Sequence, residues 1–161
     1  GYLAPAQVGA LVRDGLVSAI KYAVVREDTA TDHYLSELVE LVDPKRIISG
    51  IGEQPAIIHL RKFGLGGFTS GCVCVAPGKS MEMLRALDDG DYQEAEEIRR
   101  RFEALEDLRN SHGPIPVLHE AVRLAGVADT GPMLPLMTNL PETLWNQVAT
   151  AALELKRYNE E

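Results

Sequence analysis

The alternation of strand-like and helix-like segments over residues 16–75 limits the folds available to this chain more than any other feature. Short apolar runs rich in β-branched residues predict strands at Leu16–Val25, Arg46–Gly50 and Phe68–Val75. Apolar residues at helical spacing between these runs predict helices over Tyr34–Val42 and Gly52–Phe63. Strands that alternate with helices in this way are typical of an α/β fold with a parallel sheet and helical crossovers.

The sequence also predicts that this sheet is part of a larger fold. A helix over Pro5–Asp14 precedes the first strand, as though other strands came before it. Three parallel strands make a poor sheet on their own, because their edges expose unpaired N–H and C=O groups and both faces need cover. We therefore expect further strands to complete the sheet.

Beyond Pro77 the sequence predicts helices only. Apolar residues recur three and four positions apart in four segments. These segments are Met81–Leu87, Tyr92–Leu108, Val117–Ala125 and Leu144–Leu155. The second half of the chain is therefore expected to be all helical.

The charge balance argues against a nucleic-acid partner. The formal net charge is −8, whereas phosphate binding needs clustered Lys and Arg. The densest basic run, Arg99–Arg101, lies among glutamates that favour ion pairs along one helix. No apolar run approaches the roughly 20 residues of a membrane-spanning helix, and Gly1–Pro5 lacks the features of a signal peptide. We therefore expect a cytoplasmic protein without a membrane partner.

The cysteines and histidines give little sign of a metal site. Cys72 and Cys74 lie two positions apart on the predicted third strand, so we expect two neighbouring, buried free thiols. The four histidines are scattered along the chain without the spacing of metal ligands. We therefore expect no metal.

Lys21 is the best candidate for a catalytic residue. It lies towards the end of the first predicted strand, where burial would favour the neutral amine. A desolvated lysine is a nucleophile that attacks ketones. The alternative is a lysine that extends from the strand end into solvent. The strand pattern alone leaves both possibilities open.

Several motifs in a fixed order carry a family resemblance. They are Ile20–Ala23, Ser49–Glu53, Gly66–Gly71, Ala76–Pro77, Gly90–Asp91, Pro114–Val117 and Gly126. With them the chain resembles the C-terminal part of the dihydrodipicolinate synthase and N-acetylneuraminate lyase superfamily, whose members are Schiff-base TIM (β/α)8 barrels. The resemblance implies barrel strands 6–8 within residues 1–77. It implies the final barrel helix and a helical C-terminal extension within residues 78–161.

The resemblance also implies an activity and its residues. It implies that Lys21 forms an imine with the keto carbon of pyruvate or a related 2-keto acid. Ser49 and Gly50 match the turn after the seventh strand, which lines the mouth of the active site. Thr69 matches the eighth-strand position whose backbone contacts the keto acid. We therefore expect a class I lyase, aldolase or dehydratase that needs no cofactor and forms a homo-oligomer, a dimer or tetramer.

Departures from the family pattern bear on the substrate. Tyr22 follows the lysine where many relatives have an acidic residue, and Ile51 and Gly52 stand where aspartates are usual. These changes favour a different aldehyde partner. The family's Thr-Thr pair and catalytic tyrosine match no part of the sequence, so we expect the 161 residues alone to be inactive. The alternative is a non-catalytic or incomplete barrel segment that serves subunit packing.

Overall fold

The computed structural model describes residues 3–161. These residues form two compact units, the first ending at Ser70 and the second extending from Gly71 to Glu161. Each unit has its own buried apolar residues.

The first unit alternates helices and strands. Its elements are α1 (Pro5–Arg13), β1 (Ile20–Tyr22), α2 (His33–Leu41), β2 (Ile47–Ser49), α3 (Ala56–Phe63) and β3 (Gly67–Phe68). The strands form one parallel sheet in the order β1–β2–β3. Lys21 pairs with Ile48, which in turn pairs with Gly67, and Tyr22 pairs with Ser49. The predicted α/β alternation and parallel sheet are confirmed.

Local sequence explains where the helices of this unit begin and end. The Asp32 carboxylate accepts a hydrogen bond from the Leu35 N–H at 3.0 Å and thus caps the start of α2. Helix α3 ends at Gly64, which has a left-handed backbone. The helices and strands bury a common apolar core. Its members are Val12, Tyr22, Leu35, Leu38, Val42, Ile47, Phe63 and Leu65.

The strands are shorter than predicted. The first spans three residues, and Leu16 and Val25 at the ends of the predicted run are 73% and 76% exposed. The prediction of a third strand over Phe68–Val75 was wrong beyond Phe68, because Cys72–Cys74 forms a turn of 3-10 helix. A short apolar run fits a helical turn as well as a strand, so periodicity alone does not separate them.

The helical turn also corrects the prediction of two buried, neighbouring thiols. Neither cysteine forms a disulfide within the described residues, and Cys72 is buried whereas Cys74 is exposed. Residues two positions apart share a face on a strand but not on a helix, so the thiols do not lie side by side.

The second unit is helical, as predicted. Its helices are α4 (Pro77–Asp89), α5 (Tyr92–His112), α6 (Pro114–Leu124) and α7 (Trp145–Glu160). The predicted apolar positions supply its buried residues, among them Ile98, Phe102, Val117 and Val148. No helix within residues 3–161 is both long and apolar enough to span a membrane.

The basic run on α5 forms ion pairs along the helix, as predicted. Arg99 Nε lies 2.7 Å from a carboxylate oxygen of Glu96, and Arg100 Nε lies 3.0 Å from the other. Arg101 instead lies over the ring of Tyr158, 5.2 Å from its centroid. Lys79 Nζ lies 4.9 Å from the same centroid, and the Lys79 N–H donates to the Asn159 side-chain oxygen at 3.1 Å. The last turn of α7 is thus held to α4 and α5.

Candidate active site

The carboxyl edge of the sheet brings the four candidate residues together. The Gly50 N–H donates to the Tyr22 carbonyl at 2.7 Å, and the Thr69 N–H donates to the Ser49 carbonyl at 2.8 Å. Because the strands are parallel, the residues that follow them emerge side by side at this edge. The structure therefore places Lys21, Ser49, Gly50 and Thr69 on adjacent strand ends.

Lys21 lies on the face of the sheet opposite the buried side chains. Its neighbour Tyr22 is 3% exposed and Ser49 is fully buried, whereas Lys21 and Thr69 are exposed. Successive side chains of a strand alternate between faces, which separates Lys21 from Tyr22. The prediction that the strand buries this lysine was wrong for the described residues, because the first unit packs its core on the other face of the sheet.

Gly50 lies under the stem of Lys21. A Cβ atom at position 50 would be 2.9 Å from Lys21 Cγ, 2.8 Å from Ala23 Cβ and 2.9 Å from the Tyr22 carbonyl oxygen. Distances this short are below van der Waals contact, so only glycine fits. The lysine stem therefore packs against the residue directly after β2, where there is no side chain.

The turns that follow β2 and β3 are bonded to each other. The Ser70 hydroxyl donates to a carboxylate oxygen of Glu53 at 2.6 Å, and the Gly52 N–H donates to the Thr69 carbonyl at 3.1 Å. Glu53 is fully buried. These bonds fix the backbone of Thr69 relative to the turn after β2. The sequence analysis assigned no role to Glu53. An acidic residue at the end of the Ser49–Glu53 motif could have indicated a buried carboxylate that holds the neighbouring turn.

The Ser49 side chain points away from Lys21. Its hydroxyl oxygen lies 2.8 Å from Nδ1 of His59, a residue of α3 that is 1% exposed. Nε2 of His59 is buried and has no hydrogen-bond partner among the described residues. Burial lowers the pKa of His59 and outweighs the opposing effect of the Asp32 charge. The backbone of Ser49, rather than its hydroxyl, is thus the part that lies at the candidate site.

A second polar group lies on the same side of the sheet as His59. The Tyr22 hydroxyl donates to Asp32 at 2.6 Å, and Arg26 Nε donates to the same carboxylate at 2.8 Å. Burial alone would raise the pKa of Asp32, but the hydrogen bonds from Arg26, Tyr22 and Leu35 outweigh it and lower the pKa. Burial and the bond to Asp32 raise the pKa of the Tyr22 hydroxyl. Sequence reasoning missed Arg26, Asp32 and His59.

Within residues 3–161 no three His, Cys, Asp or Glu side chains converge on one point. The open face of the edge presents the primary amine of Lys21 beside the backbone of Gly50 and Thr69.

The sequence profile of the Dihydrodipicolinate synthetase family matches residues 2–152. The chain belongs to this family. Two relatives are 4-hydroxy-tetrahydrodipicolinate synthases. That of Methanothrix thermoacetophila is 28% identical over 141 residues, which cover 84% of this chain and 47% of the relative. That of Chlorobium luteolum is 28% identical over 112 residues, covering 66% and 38%. The chain thus spans about half the length of the curated relatives it matches.

Solved structures show the same fold. Dihydrodipicolinate synthase from Oceanobacillus iheyensis superposes with a TM-score of 0.76 at 24% identity, covering 96% of this chain and 50% of that one. YagE, a prophage protein of the dihydrodipicolinic acid synthase family from E. coli K12 in complex with pyruvate, gives 0.77 at 24% identity, with coverage of 96% and 51%. The chain therefore has the fold of about half of these proteins.

Proposed function

We propose that the chain contributes Lys21 as the imine-forming residue of a class I lyase, an aldolase or dehydratase that acts on pyruvate or a related 2-keto acid. The single observation that carries this proposal is the position of Lys21 at the carboxyl edge of a parallel sheet, with its stem over Gly50. In (β/α)8 barrels that edge is where active sites lie. Family membership supports the same assignment.

The proposed chemistry begins with the neutral amine of Lys21. Its nitrogen attacks the keto carbon, the carbonyl oxygen leaves as water, and a C=N bond forms. The protonated imine accepts the electron pair released when a proton or a carbon–carbon bond at the adjacent carbon is lost, which gives an enamine. The enamine carbon then forms a carbon–carbon bond to an aldehyde, or the enamine expels the hydroxyl group of the next carbon, which takes up a proton and leaves as water. The backbone of Gly50 and Thr69 would position the keto acid beside the amine. Ile51 and Gly52 replace the aspartates usual after the seventh strand, which favours a second substrate other than that of dihydrodipicolinate synthase.

This function requires more strands than the chain provides. We infer that β1, β2 and β3 are strands 6–8 of a TIM (β/α)8 barrel within residues 1–77, and that residues 78–161 form the last barrel helix and a helical extension. The exposed face around Lys21 and the half-length match to the relatives support this arrangement. Another polypeptide, or a further part of the same one, would supply the remaining strands. We also propose that the complete protein assembles into a homo-oligomer.

The test is chemical trapping on the complete protein, meaning these residues together with whatever supplies the other strands. Pyruvate and borohydride are added, and peptide mass spectrometry locates the reduced adduct. An adduct on Lys21 is expected, and an adduct on another lysine with Lys21 unmodified would refute the assignment. Tryptic peptides that carry Lys45 and Lys62 of the same unit serve as internal controls.

A second function is favoured by one observation, the incomplete sheet. Its two edge strands pair on one side only within the described residues. A chain that serves only to pack against other subunits would show the same geometry. Such a chain would sediment as part of an assembly yet give no borohydride adduct on Lys21.

A further inference from the structure

The buried side of β1 carries a polar network directly behind the candidate lysine. We propose that Tyr22 is a positioning residue for Lys21, and that it acts through its hydrogen bonds with Asp32 and Arg26. This inference rests on the proposed function, because it concerns the same lysine.

The need for such a residue follows from the shortness of β1. The strand has three residues and pairs with β2 alone among the described residues. The bond from the Gly50 N–H to the Tyr22 carbonyl is its last one at the carboxyl edge. A strand end with so few backbone bonds frays easily, and Lys21 and Tyr22 share one peptide plane. Any side chain that anchors Tyr22 therefore also restrains the start of the lysine stem.

The network joins three segments at that point. Tyr22 lies on the strand, Arg26 lies in the segment after it, and Asp32 caps α2. Asp32 is 2% exposed, so its charge needs both partners as well as the Leu35 N–H. A second Arg26 nitrogen lies 3.3 Å from the Tyr22 hydroxyl and closes the group. The strand end is thus held by a charged, buried group rather than by apolar packing alone.

The network acts through position and not through contact with the substrate. Its three side chains lie on the opposite face from Lys21, so none of them reaches the reacting carbon. A displacement of the amine by about 1 Å costs on the order of 100-fold in rate. Tyrosine here supplies a hydroxyl that spans the distance from the strand to Asp32, which no apolar ring would do.

The test compares two tyrosine variants of the complete protein. Tyr22→Phe removes the hydroxyl bonded to Asp32. Tyr34→Phe is the matched control, because the Tyr34 ring stacks 6.1 Å from that of Tyr22 but its hydroxyl donates to the Leu3 carbonyl. The rate of borohydride trapping on Lys21 is measured against pyruvate concentration, and urea unfolding is measured beside it. Tyr22→Phe is expected to lower the maximal trapping rate about tenfold, with little change in the half-saturating pyruvate concentration.

The outcomes separate this inference from the function on which it rests. Slow trapping in Tyr22→Phe with near wild-type trapping in Tyr34→Phe supports it. Wild-type trapping in Tyr22→Phe, or equal slowing in both variants, overturns it while leaving the proposed function intact. A wild-type protein without an adduct on Lys21 refutes the function and the inference together. If Tyr22→Phe does not fold, Arg26→Gln decides by the same criteria, since Arg26 is partly exposed and breaks the same network.

Discussion

Replacing Gly50 with alanine perturbs the candidate site where the residue after β2 lies against the stem of Lys21. The new Cβ atom would lie 2.8 Å from Ala23 Cβ and 2.9 Å from both Lys21 Cγ and the Tyr22 carbonyl oxygen. Non-bonded carbon atoms prefer about 3.5–4.0 Å, so the contact with Ala23 is too short by about 0.7 Å or more. The lysine stem can rotate away. The Tyr22 carbonyl cannot, because it accepts the 2.7 Å bond from the Gly50 N–H.

The variant should therefore lose both stability and reactivity. Overpacking of this kind costs about 1–3 kcal/mol, so we expect the free energy of unfolding to fall by about 2 kcal/mol. Displacement of the Lys21 stem should slow borohydride trapping by about tenfold or more. Urea unfolding followed by circular dichroism measures the first effect, and mass spectrometry of the trapped peptide measures the second.

The matched control is Gly67→Ala on the next strand. A Cβ atom at position 67 would meet nothing within 4 Å among the described residues. Alanine is intrinsically better than glycine in a strand by about 0.5–1 kcal/mol, so stability should stay the same or rise slightly. A Gly50→Ala protein with the wild-type urea midpoint and the wild-type trapping rate would show that the lysine stem does not pack against this glycine.

Three further predictions test the catalytic residue, the buried histidine and the thiols. Lys21→Arg should abolish turnover in the complete protein, since arginine keeps its proton and cannot attack a carbonyl carbon, while the circular dichroism spectrum stays normal. Turnover above about a tenth of wild type would exclude covalent catalysis by Lys21. Burial lowers the pKa of His59, so the unfolded state binds more protons below its own pKa of about 6.5. Stability should thus fall as the pH drops below about 6.5, and His59→Asn should flatten that slope in urea titrations; an equal slope in both proteins would contradict this. In the native protein Ellman's reagent should react with the exposed Cys74, and it should react with the buried Cys72 only after unfolding. Rapid reaction of both thiols in the native protein would contradict the structure.

Sequence patterns predicted the parts of the fold that depend on local periodicity. The helix from Tyr92 to His112 follows from apolar residues three and four positions apart, which the structure buries at Ile98 and Phe102. Strand length was less predictable. Residues count as a strand only where a neighbouring strand pairs with them, and β2 itself has three residues. The extent of the run Leu16–Val25 could not reveal that.

The candidate site was predictable in one respect and not in another. The family resemblance implied that Lys21 and Gly50 belong to one site, and the parallel pairing of β1 with β2 does bring them close together. The hydrogen bond of Tyr22 with Asp32 joins residues ten positions apart across a connecting segment. The periodicity of helices and strands does not predict such a contact. Asp32 did carry a local signal, because an aspartate directly before an apolar helical segment is typical of a helix cap.

The anchored last turn of α7 has a practical consequence for handling the protein. Lys79 and Arg101 both lie over the ring of Tyr158. The Asn159 side-chain oxygen accepts a hydrogen bond from the Lys79 N–H near the start of α4. Truncation before Tyr158 would remove the ring that both cations contact and would leave the Lys79 N–H without the Asn159 oxygen. An affinity tag or fluorescent label placed next to this turn should therefore be joined through a flexible spacer, so that the anchored turn keeps its contacts.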